Sequence, residues 1–193
     1  MAFPPLILAS QSPRRKEILT LGAIPFSTFS VETPEHIEPE ESIEWNVRRI
    51  AEEKAKATTQ SFPNETRGTV LLSADTIVAI DGRILGKPAD AAEAHLMLRQ
   101  LQGRTHEVHT GFALLQSTRL YSECATTMVT LNRMTDEEIL HYIHTAAPFD
   151  KAGSYGIQDP VMACFVSSIT GCYYNVMGLP LSRVWSALQE FRS

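Results

Sequence analysis

The segment from Val70 to Ile80 limits the fold of this chain more than any other part of the sequence. It reads VLLSADTIVAI, almost wholly apolar and rich in β-branched residues, and the Asp81-Gly82 pair that follows is a strong hairpin signal. Such a run is typical of a central strand that is buried on both faces. The sequence therefore predicts a sheet with this strand inside it and other layers covering it.

Asp75 is the one charged residue in this run. A carboxylate buried there costs several kcal/mol unless it meets a metal ion, a cation or several hydrogen-bond donors. A carboxylate beside a divalent cation is suited to activating water. The alternative is that Asp75 ends the strand and caps a turn in water. Because Ile77 to Ile80 continue the apolar pattern, the functional interpretation is favoured.

Strands and helices alternate along the chain, and hairpins join some of the strands. The pattern predicts strands over residues 6–10, 70–80, 83–85, 106–115, 124–131 and 165–169, and helices over 13–21, 43–57, 91–101, 135–145 and 180–191. Thr135 to Glu138 form a capping box at the start of one helix. We expect an α/β fold with a mixed twisted sheet flanked by helices, in a single domain over residues 1–193.

Composition and charge exclude several classes of protein. The 44% hydrophobic content is ample for a core, and a net charge of −5 argues against a nucleic-acid partner. Three cysteines without metal-type spacing indicate reduced thiols. No segment approaches the ~18 apolar residues of a membrane span, and Met1 to Pro5 does not form a signal peptide. We expect a cytoplasmic protein with no membrane partner.

Three cations, Arg14, Arg15 and Lys16, crowd the first turn of the helix that Ser12 and Pro13 begin. The helix dipole is already positive there, so each cation costs up to about 1 kcal/mol unless an anion binds the helix end. A polyphosphate is the obvious candidate anion. The alternative is that Lys16 and one of the arginines point into water, which suits Lys16 better than the arginine pair.

Two lysines and one glutamate remain open on the residues alone. Lys54 lies on the apolar stripe of its helix, where it either extends past the surface into water or offers a point charge to phosphate. Lys87, held extended by Pro88, either folds back toward the strand of Asp75 or is an exposed loop residue. Glu35 lies in an acidic stretch of the kind that is usually solvated.

The histidines do not form a predicted zinc site. His106 and His109 lie in a strand and point to opposite faces, and His141 and His144 share a helix face without a third ligand. All four are therefore interpreted as surface residues. The chain also has no nucleophile elbow, no Walker phosphate loop and no dinucleotide fingerprint.

A series of short motifs follows one order and spacing along essentially the whole chain. They are Leu8-Ala9-Ser10, Ser12-Pro13-Arg14-Arg15, Glu52-Glu53-Lys54-Ala55, Ser73-Ala74-Asp75-Thr76-Ile77-Val78, Gly86-Lys87-Pro88, Thr110-Gly111, Asp150-Lys151-Ala152-Gly153-Ser154-Tyr155-Gly156-Ile157-Gln158 and Gly178-Leu179-Pro180. This series resembles the Maf family, the septum formation inhibitor proteins that act as nucleoside triphosphate pyrophosphatases. The resemblance implies two lobes around a cleft, related in shape to the inosine triphosphate pyrophosphatases.

The resemblance also implies a reaction and a set of roles. A nucleoside triphosphate is hydrolysed to the monophosphate and pyrophosphate with Mg²⁺ or Mn²⁺. Asp75 activates water and, with Glu35, is associated with the metal ion, while Arg15, Lys54 and Lys87 meet the phosphates. The substrate-binding and specificity positions are Ser10, Ser12, Arg14, Thr76 and Gln158.

Arg14, Thr76 and Gln158 resemble the residues found in the family branch that acts on dTTP and UTP. The sister branch, associated with 7-methyl-GTP, has Trp, Gln and Glu at these positions. Two features depart from the family pattern. Pro34 precedes Glu35 where a second acidic residue is common, and Asp159-Pro160 begin a segment that is usually glycine-rich.

The favoured hypothesis is therefore an enzyme that cleaves dTTP and UTP at the α-phosphorus, in nucleotide-pool housekeeping and with a homodimer as a compatible state. The alternative is a non-catalytic nucleotide-binding regulator of cell division. A third reading, a phosphatase that removes phosphates singly, differs because it releases orthophosphate.

Overall fold

The computed structural model describes residues 4–192, and the chain divides into two compact units. The described residues of unit 1 are 4–75, 110–125 and 178–192, and those of unit 2 are 76–109 and 126–177. The expectation about Met1 to Pro5 falls mainly outside the described residues. The single domain predicted over residues 1–193 stays a prediction.

All six predicted strands and all five predicted helices form, although several of their bounds differ. The strands are β1 (Leu6–Leu8), β2 (Ser27–Thr28), β3 (Val70–Ile80), β4 (Arg83–Leu85), β5 (Thr105–Gln116), β6 (Arg119–Leu131) and β7 (Val166–Thr170). The α-helices are α1 (Pro13–Leu21), α2 (Ile43–Ser61), α3 (Ala91–Leu101), α4 (Asp136–Ala146), α5 (Tyr173–Met177) and α6 (Leu181–Gln189). Short 3₁₀ turns occupy Pro148–Asp150, Ala152–Ser154 and Met162–Cys164.

The strands pair into a mixed sheet in the order β2-β1-β3-β5-β6-β7, with β4 paired to β3 off this path. β1 runs parallel to β2 and to β3, whereas the pairs β3–β4 and β6–β7 are antiparallel. The α/β class with a mixed sheet and helices is therefore confirmed.

The predicted and observed bounds agree best where the sequence signal is strongest. β3 and its hairpin to β4 form as predicted, and the Thr135–Glu138 capping box is present at α4. α2 extends four residues beyond its predicted end, where Thr58 and Thr59 donate hydrogen bonds to carbonyls one turn back. β2 and α5 are too short to produce a periodic sequence signal, so the sequence analysis missed them.

In unit 1, α2 packs closely against the sheet. Ile7, Ala9, Ala55 and Leu71 form a buried apolar cluster. The hydroxyl of Ser73 in β3 donates a 2.6 Å hydrogen bond to the carbonyl of Ala51 in α2. α2 is thereby attached to β3 within a few residues of both Lys54 and Asp75.

Gly111 permits a close approach between β5 and α2. A Cβ atom at Gly111 would lie 2.4 Å from the carbonyl carbon and oxygen of Val47, which is less than van der Waals contact. Because those are backbone atoms of a helix, no side-chain rotation could relieve the overlap. Gly111 therefore sets the position of α2.

Cys124, Cys164 and Cys172 form no disulfide bond within residues 4–192. Among residues 4–192, no helix has the length and apolar character needed to cross a membrane.

We predict that Gly111→Ala lowers the free energy of unfolding by about 1–3 kcal/mol, because the added methyl group forces α2 away from β5. Chemical denaturation with a two-state fit measures the change. Gly86→Ala is the matched control, since an added Cβ there meets nothing within 4 Å. Equal stabilities of the two variants would contradict the close-approach argument.

Candidate active site

Arg15 is held in place at the beginning of α1. Its Nη1 donates to the hydroxyl of Ser10 over 3.1 Å, and its Nε donates to the carbonyl of Gly178 over 2.8 Å. Ser12 begins the helix as predicted, and its backbone N–H donates to the Ser10 hydroxyl at 3.2 Å. The alternative that Arg15 simply extends into water is therefore wrong.

Gly178 is a residue whose role the sequence analysis missed. It lies in one of the motifs noted above, but a backbone carbonyl that accepts from a residue far away in sequence leaves no side-chain signal. Ser10, by contrast, was predicted at the site and is buried there.

Lys54 lies between two carboxylates. Its Nζ donates to Oδ1 of Asp75 over 2.6 Å and to Oε1 of Glu35 over 2.7 Å. The side chains of Lys54 and Asp75 are 13% and 8% exposed, whereas that of Glu35 is 43% exposed. Lys54 therefore does not extend past the apolar surface into water, and the buried carboxylate in β3 has the cation that its burial requires.

The charges of these residues act on one another. Burial lowers the pKa of Arg15 from its ordinary value, the negative charges of Asp75 and Glu35 oppose that change, and the positive charge of Arg14 adds to it. Arg14, Arg15, Lys54, Asp75 and Glu35 thus form one electrostatic cluster in unit 1. Its three cations outnumber its two carboxylates, so an anion with several charges would be attracted to it.

Asn46 and Arg49 attach the segment that follows Glu35 to α2. The buried Asn46 accepts from the backbone N–H of Glu38 over 2.8 Å and donates back to the Glu38 carbonyl over 3.0 Å. Arg49 donates to the carbonyl of His36, the residue after Glu35. The sequence analysis missed both residues. The sequence does hold one signal for Asn46. It lies four positions before Ile50, which places a polar side chain on the apolar face of α2.

The donor set suits a hard divalent cation. Carboxylate oxygens are the ligands that Mg²⁺ and Mn²⁺ prefer. Oxygens of Asp75 and Glu35 lie close together, since both contact the Nζ atom of Lys54. Within residues 4–192, no group of three or more His, Cys, Asp and Glu side chains could hold a metal ion. Mg²⁺ commonly uses one or two carboxylates together with substrate phosphates, so two carboxylates fit such a site.

Three predicted site residues lie in unit 2. Thr76 follows Asp75 in β3 and is partly exposed. Lys87 is exposed in the loop after β4, and the carbonyl of the preceding Gly86 accepts from the N–H of Gly153 over 3.0 Å. Gln158 is partly exposed, but its Oε1 is buried and accepts no hydrogen bond from the described residues. The predicted return of Lys87 toward the strand of Asp75 stays a prediction.

The surface interpretation of the histidines is wrong for the pair in β5. His106 and His109 are 1% and 2% exposed, because the strand that carries them is covered on both faces. His106 Nε2 lies 2.7 Å from the hydroxyl of Tyr155, in the loop that leads to Gln158. Burial lowers the pKa of His106 to about 4. His141 and His144 are exposed, as predicted.

An α/β protein that gathers arginines, a lysine and two carboxylates beside a helix N-terminus is of the class that binds phosphate-bearing ligands. Residues 5–191 match the family of Maf-like proteins. The chain belongs to this family.

Relatives of 46–83% identity cover 96–100% of the chain. A protein of Chlorobium phaeovibrioides is 83% identical over 193 residues and 100% of both chains, and one of Chlorobium luteolum is 58% identical over 190 residues and 98% of both. A protein of Bacillus velezensis is 46% identical over 186 residues and 96% of both. All three are named dTTP/UTP pyrophosphatase.

Among solved structures, that of the Staphylococcus aureus Ham1 protein has a TM-score of 0.42 at 11% identity, over 66% of this chain and 71% of the other. A likeness of this size carries no argument about fold or function.

We predict that His106 makes the protein sensitive to acid. Its pKa is lower in the folded state than in the unfolded chain, so the unfolded chain takes up the proton first as the pH falls. The free energy of unfolding should therefore decrease from about pH 6.5 to about pH 4, by about 3 kcal/mol for this residue.

Denaturation curves over this pH range for His106→Gln and His141→Gln test the prediction. The first variant should lose part of the pH dependence, and the second, whose side chain is exposed in the wild-type protein, should keep all of it. Identical pH dependence in both variants would show that His106 does not contribute.

Proposed function

We propose that this protein hydrolyses nucleoside triphosphates, specifically dTTP and UTP, to the monophosphate and pyrophosphate. The observation that carries the proposal is the Lys54 ammonium between Asp75 and Glu35, in one charged cluster with Arg15. This cluster combines a carboxylate suited to accepting a proton with cations suited to binding phosphates. The names of relatives up to 83% identical support the same substrates.

In this proposal, Arg15, Lys54 and Lys87 bind the phosphate oxygens. A triphosphate carries several negative charges, and fixed cations that neutralise it also stabilise the charge that grows during phosphoryl transfer. The free N–H groups at the start of α1, next to Ser12, are further donors for an anion. Ser10 supports this arrangement because it orients Arg15.

Asp75 is the proposed proton acceptor. Since Lys54 occupies Oδ1 of Asp75, we assign proton acceptance to the other carboxylate oxygen. The water oxygen bonds to the α-phosphorus, and the bond from that phosphorus to the oxygen bridging to the β-phosphorus breaks. The water proton passes to Asp75, and pyrophosphate leaves with the bonding electron pair. A divalent cation, Mg²⁺ or Mn²⁺, held by Asp75 and Glu35, would supply neutralisation of the phosphate charge.

The proposed base specificity rests on Arg14, Thr76 and Gln158. The buried Oε1 of Gln158 is an acceptor that lacks a donor among the described residues. Uracil and thymine offer an N3–H donor between two carbonyl acceptors, which matches a side-chain amide with one acceptor and two donors. In cytosine N3 is an acceptor, so an amide oxygen that is held opposite N3 would face another acceptor there, which is costly in a buried site.

The setting of this activity is also proposed. We place it in the cytoplasm, in the housekeeping of free nucleotides, with no nucleic-acid or membrane partner. One domain over residues 1–193 and a homodimer are the expected organisation. The net charge of −5 supports a small anionic ligand attracted by a local cluster, since duplex nucleic acid would be repelled by the whole chain.

Product analysis tests the reaction directly. The purified protein is incubated with Mg²⁺ or Mn²⁺ and, separately, with dTTP, UTP, CTP, dATP, GTP and 7-methyl-GTP. Pyrophosphate with TMP and UMP is the expected result. Orthophosphate would indicate stepwise removal of phosphates, and saturable binding without any product would favour the regulator of cell division.

We predict that Asp75→Asn lowers turnover at least about 10²-fold, the smaller value typical of a lost general base, while the protein stays folded. Steady-state kinetics with UTP measure this loss, and circular dichroism checks the fold. Asp81→Asn is the matched control, because Asp81 is an exposed carboxylate at the end of the same strand and pairs with Arg104. Near-normal turnover of Asp75→Asn would remove Asp75 from the mechanism.

A further inference from the structure

Gln158 lies in a tight turn formed by Gly156, Ile157, Gln158 and Asp159. The N–H of Asp159 donates a 3.0 Å hydrogen bond to the carbonyl of Gly156, which closes the turn. Of the two central residues, Ile157 is buried and 4% exposed, whereas Gln158 is partly exposed. Gln158 is therefore the more exposed of the two central residues of this turn.

One phenol oxygen holds both ends of this turn. The hydroxyl of Tyr142 in α4 donates to Oδ2 of Asp159 over 2.6 Å and accepts from the N–H of Gly156 over 3.0 Å. Tyr142 itself is fully buried in unit 2, so its ring has little freedom to move. Burial also raises the pKa of Tyr142, which keeps the hydroxyl protonated and able to donate.

The carboxylate of Asp159 fits closely against the turn. A Cβ atom at Gly156 would lie 2.6 Å from Oδ1 of Asp159, so only glycine leaves room for the carboxylate there. Lys151 Nζ lies 3.7 Å from Oδ2 of Asp159, and the two side chains are 12% and 14% exposed. The carbonyl of Asp159 also accepts from the N–H of Ala163 over 3.0 Å.

Resting on the proposed function, we infer that Tyr142 and Asp159 are positioning residues that fix the turn carrying Gln158 and thereby set the nucleobase selectivity of this protein. Neither residue is assigned contact with the substrate.

Selectivity between bases requires a side-chain amide that is held in one orientation. An amide that can rotate or shift can donate to the N3 acceptor of cytosine as well as accept from the N3–H of uracil. A site that is held in one orientation leaves a polar group unpaired with the wrong base and rejects it more strongly. Loosening the turn should therefore reduce the difference in affinity between uracil and cytosine nucleotides more than it reduces the affinity for the phosphates.

Tyr142→Phe is the primary test, because it removes a single oxygen and leaves the packed ring. Tyr155→Phe is the matched control. It removes the same atom from another buried tyrosine of the same unit, whose hydroxyl contacts His106 and neither end of the turn. Asp159→Ala is the second variant, since it removes the other partner of the Tyr142 hydroxyl.

Calorimetric titration measures the Kd of the α,β-imido analogues of UTP and CTP, which cannot be cleaved at the α–β bond. In Tyr142→Phe and Asp159→Ala, the Kd of the CTP analogue divided by the Kd of the UTP analogue should fall by roughly 3- to 10-fold, the size expected from the loss of one ordinary intramolecular hydrogen bond. The Kd of inorganic tripolyphosphate should stay unchanged. Tyr155→Phe should keep the wild-type ratio. Amide hydrogen exchange at Gly156 should become faster in Tyr142→Phe and not in Tyr155→Phe.

A Tyr142→Phe protein with the wild-type Kd ratio and unchanged exchange at Gly156 would overturn the inference. So would equal losses for both analogues and tripolyphosphate, because that pattern indicates a general structural defect. Failure of the proposed function gives a different pattern. If the wild-type protein releases no pyrophosphate but binds the UTP analogue more tightly than the CTP analogue, the proposed reaction is wrong. The Kd ratio then still tests the role of Tyr142 and Asp159. If the wild-type protein releases pyrophosphate from all bases alike, the inference fails and the reaction stands.

Discussion

The contact between the Lys54 ammonium and the Asp75 carboxylate is the interaction on which the charged cluster of unit 1 depends. A carboxylate in the middle of an apolar strand is strongly unfavourable without a cation, and Lys54 supplies one at 2.6 Å. The position of Lys54 depends in turn on α2, which Gly111 admits close to β5 and Ser73 attaches to β3. Packing of small residues against a helix therefore decides where the charges meet, and the chemistry follows from that packing.

Positioning by groups that are not themselves reactive recurs in both units. A serine hydroxyl and a backbone carbonyl orient Arg15, and the Asn46 side chain holds the segment after Glu35. In unit 2, Tyr142 holds the turn of Gln158 in the same manner. Neutral donors and acceptors suit this task, because they fix direction without adding charge to sites where charge balance matters.

A site residue could be predicted from the sequence where its residue type conflicts with the local structure around it. Asp75 and the arginines of α1 were found because a charge in an apolar strand and cations at a helix N-terminus contradict local preferences. Lys54 was left open, since an apolar stripe does not tell which way a long side chain turns. His106 and His109 were wrongly interpreted as exposed, because a strand buried on both faces accepts polar residues that find partners from other elements. Asn46 and Tyr142 bind backbone groups of other segments, and Gly178 offers its own carbonyl. The residue types in the sequence do not show these contacts.

The amino-acid sequence by itself determined the central strand, the order of most helices and strands, and the residue types of the charged cluster, because periodicity, turn residues and misplaced charges are local properties. Only the tertiary structure decided which cation meets Asp75, that Ser10 and Gly178 both bind Arg15, and that one tyrosine hydroxyl holds both ends of the Gln158 turn. These contacts join residues that are separated along the chain, and their geometry depends on how closely helices pack against strands. Local sequence patterns carry no record of those distances.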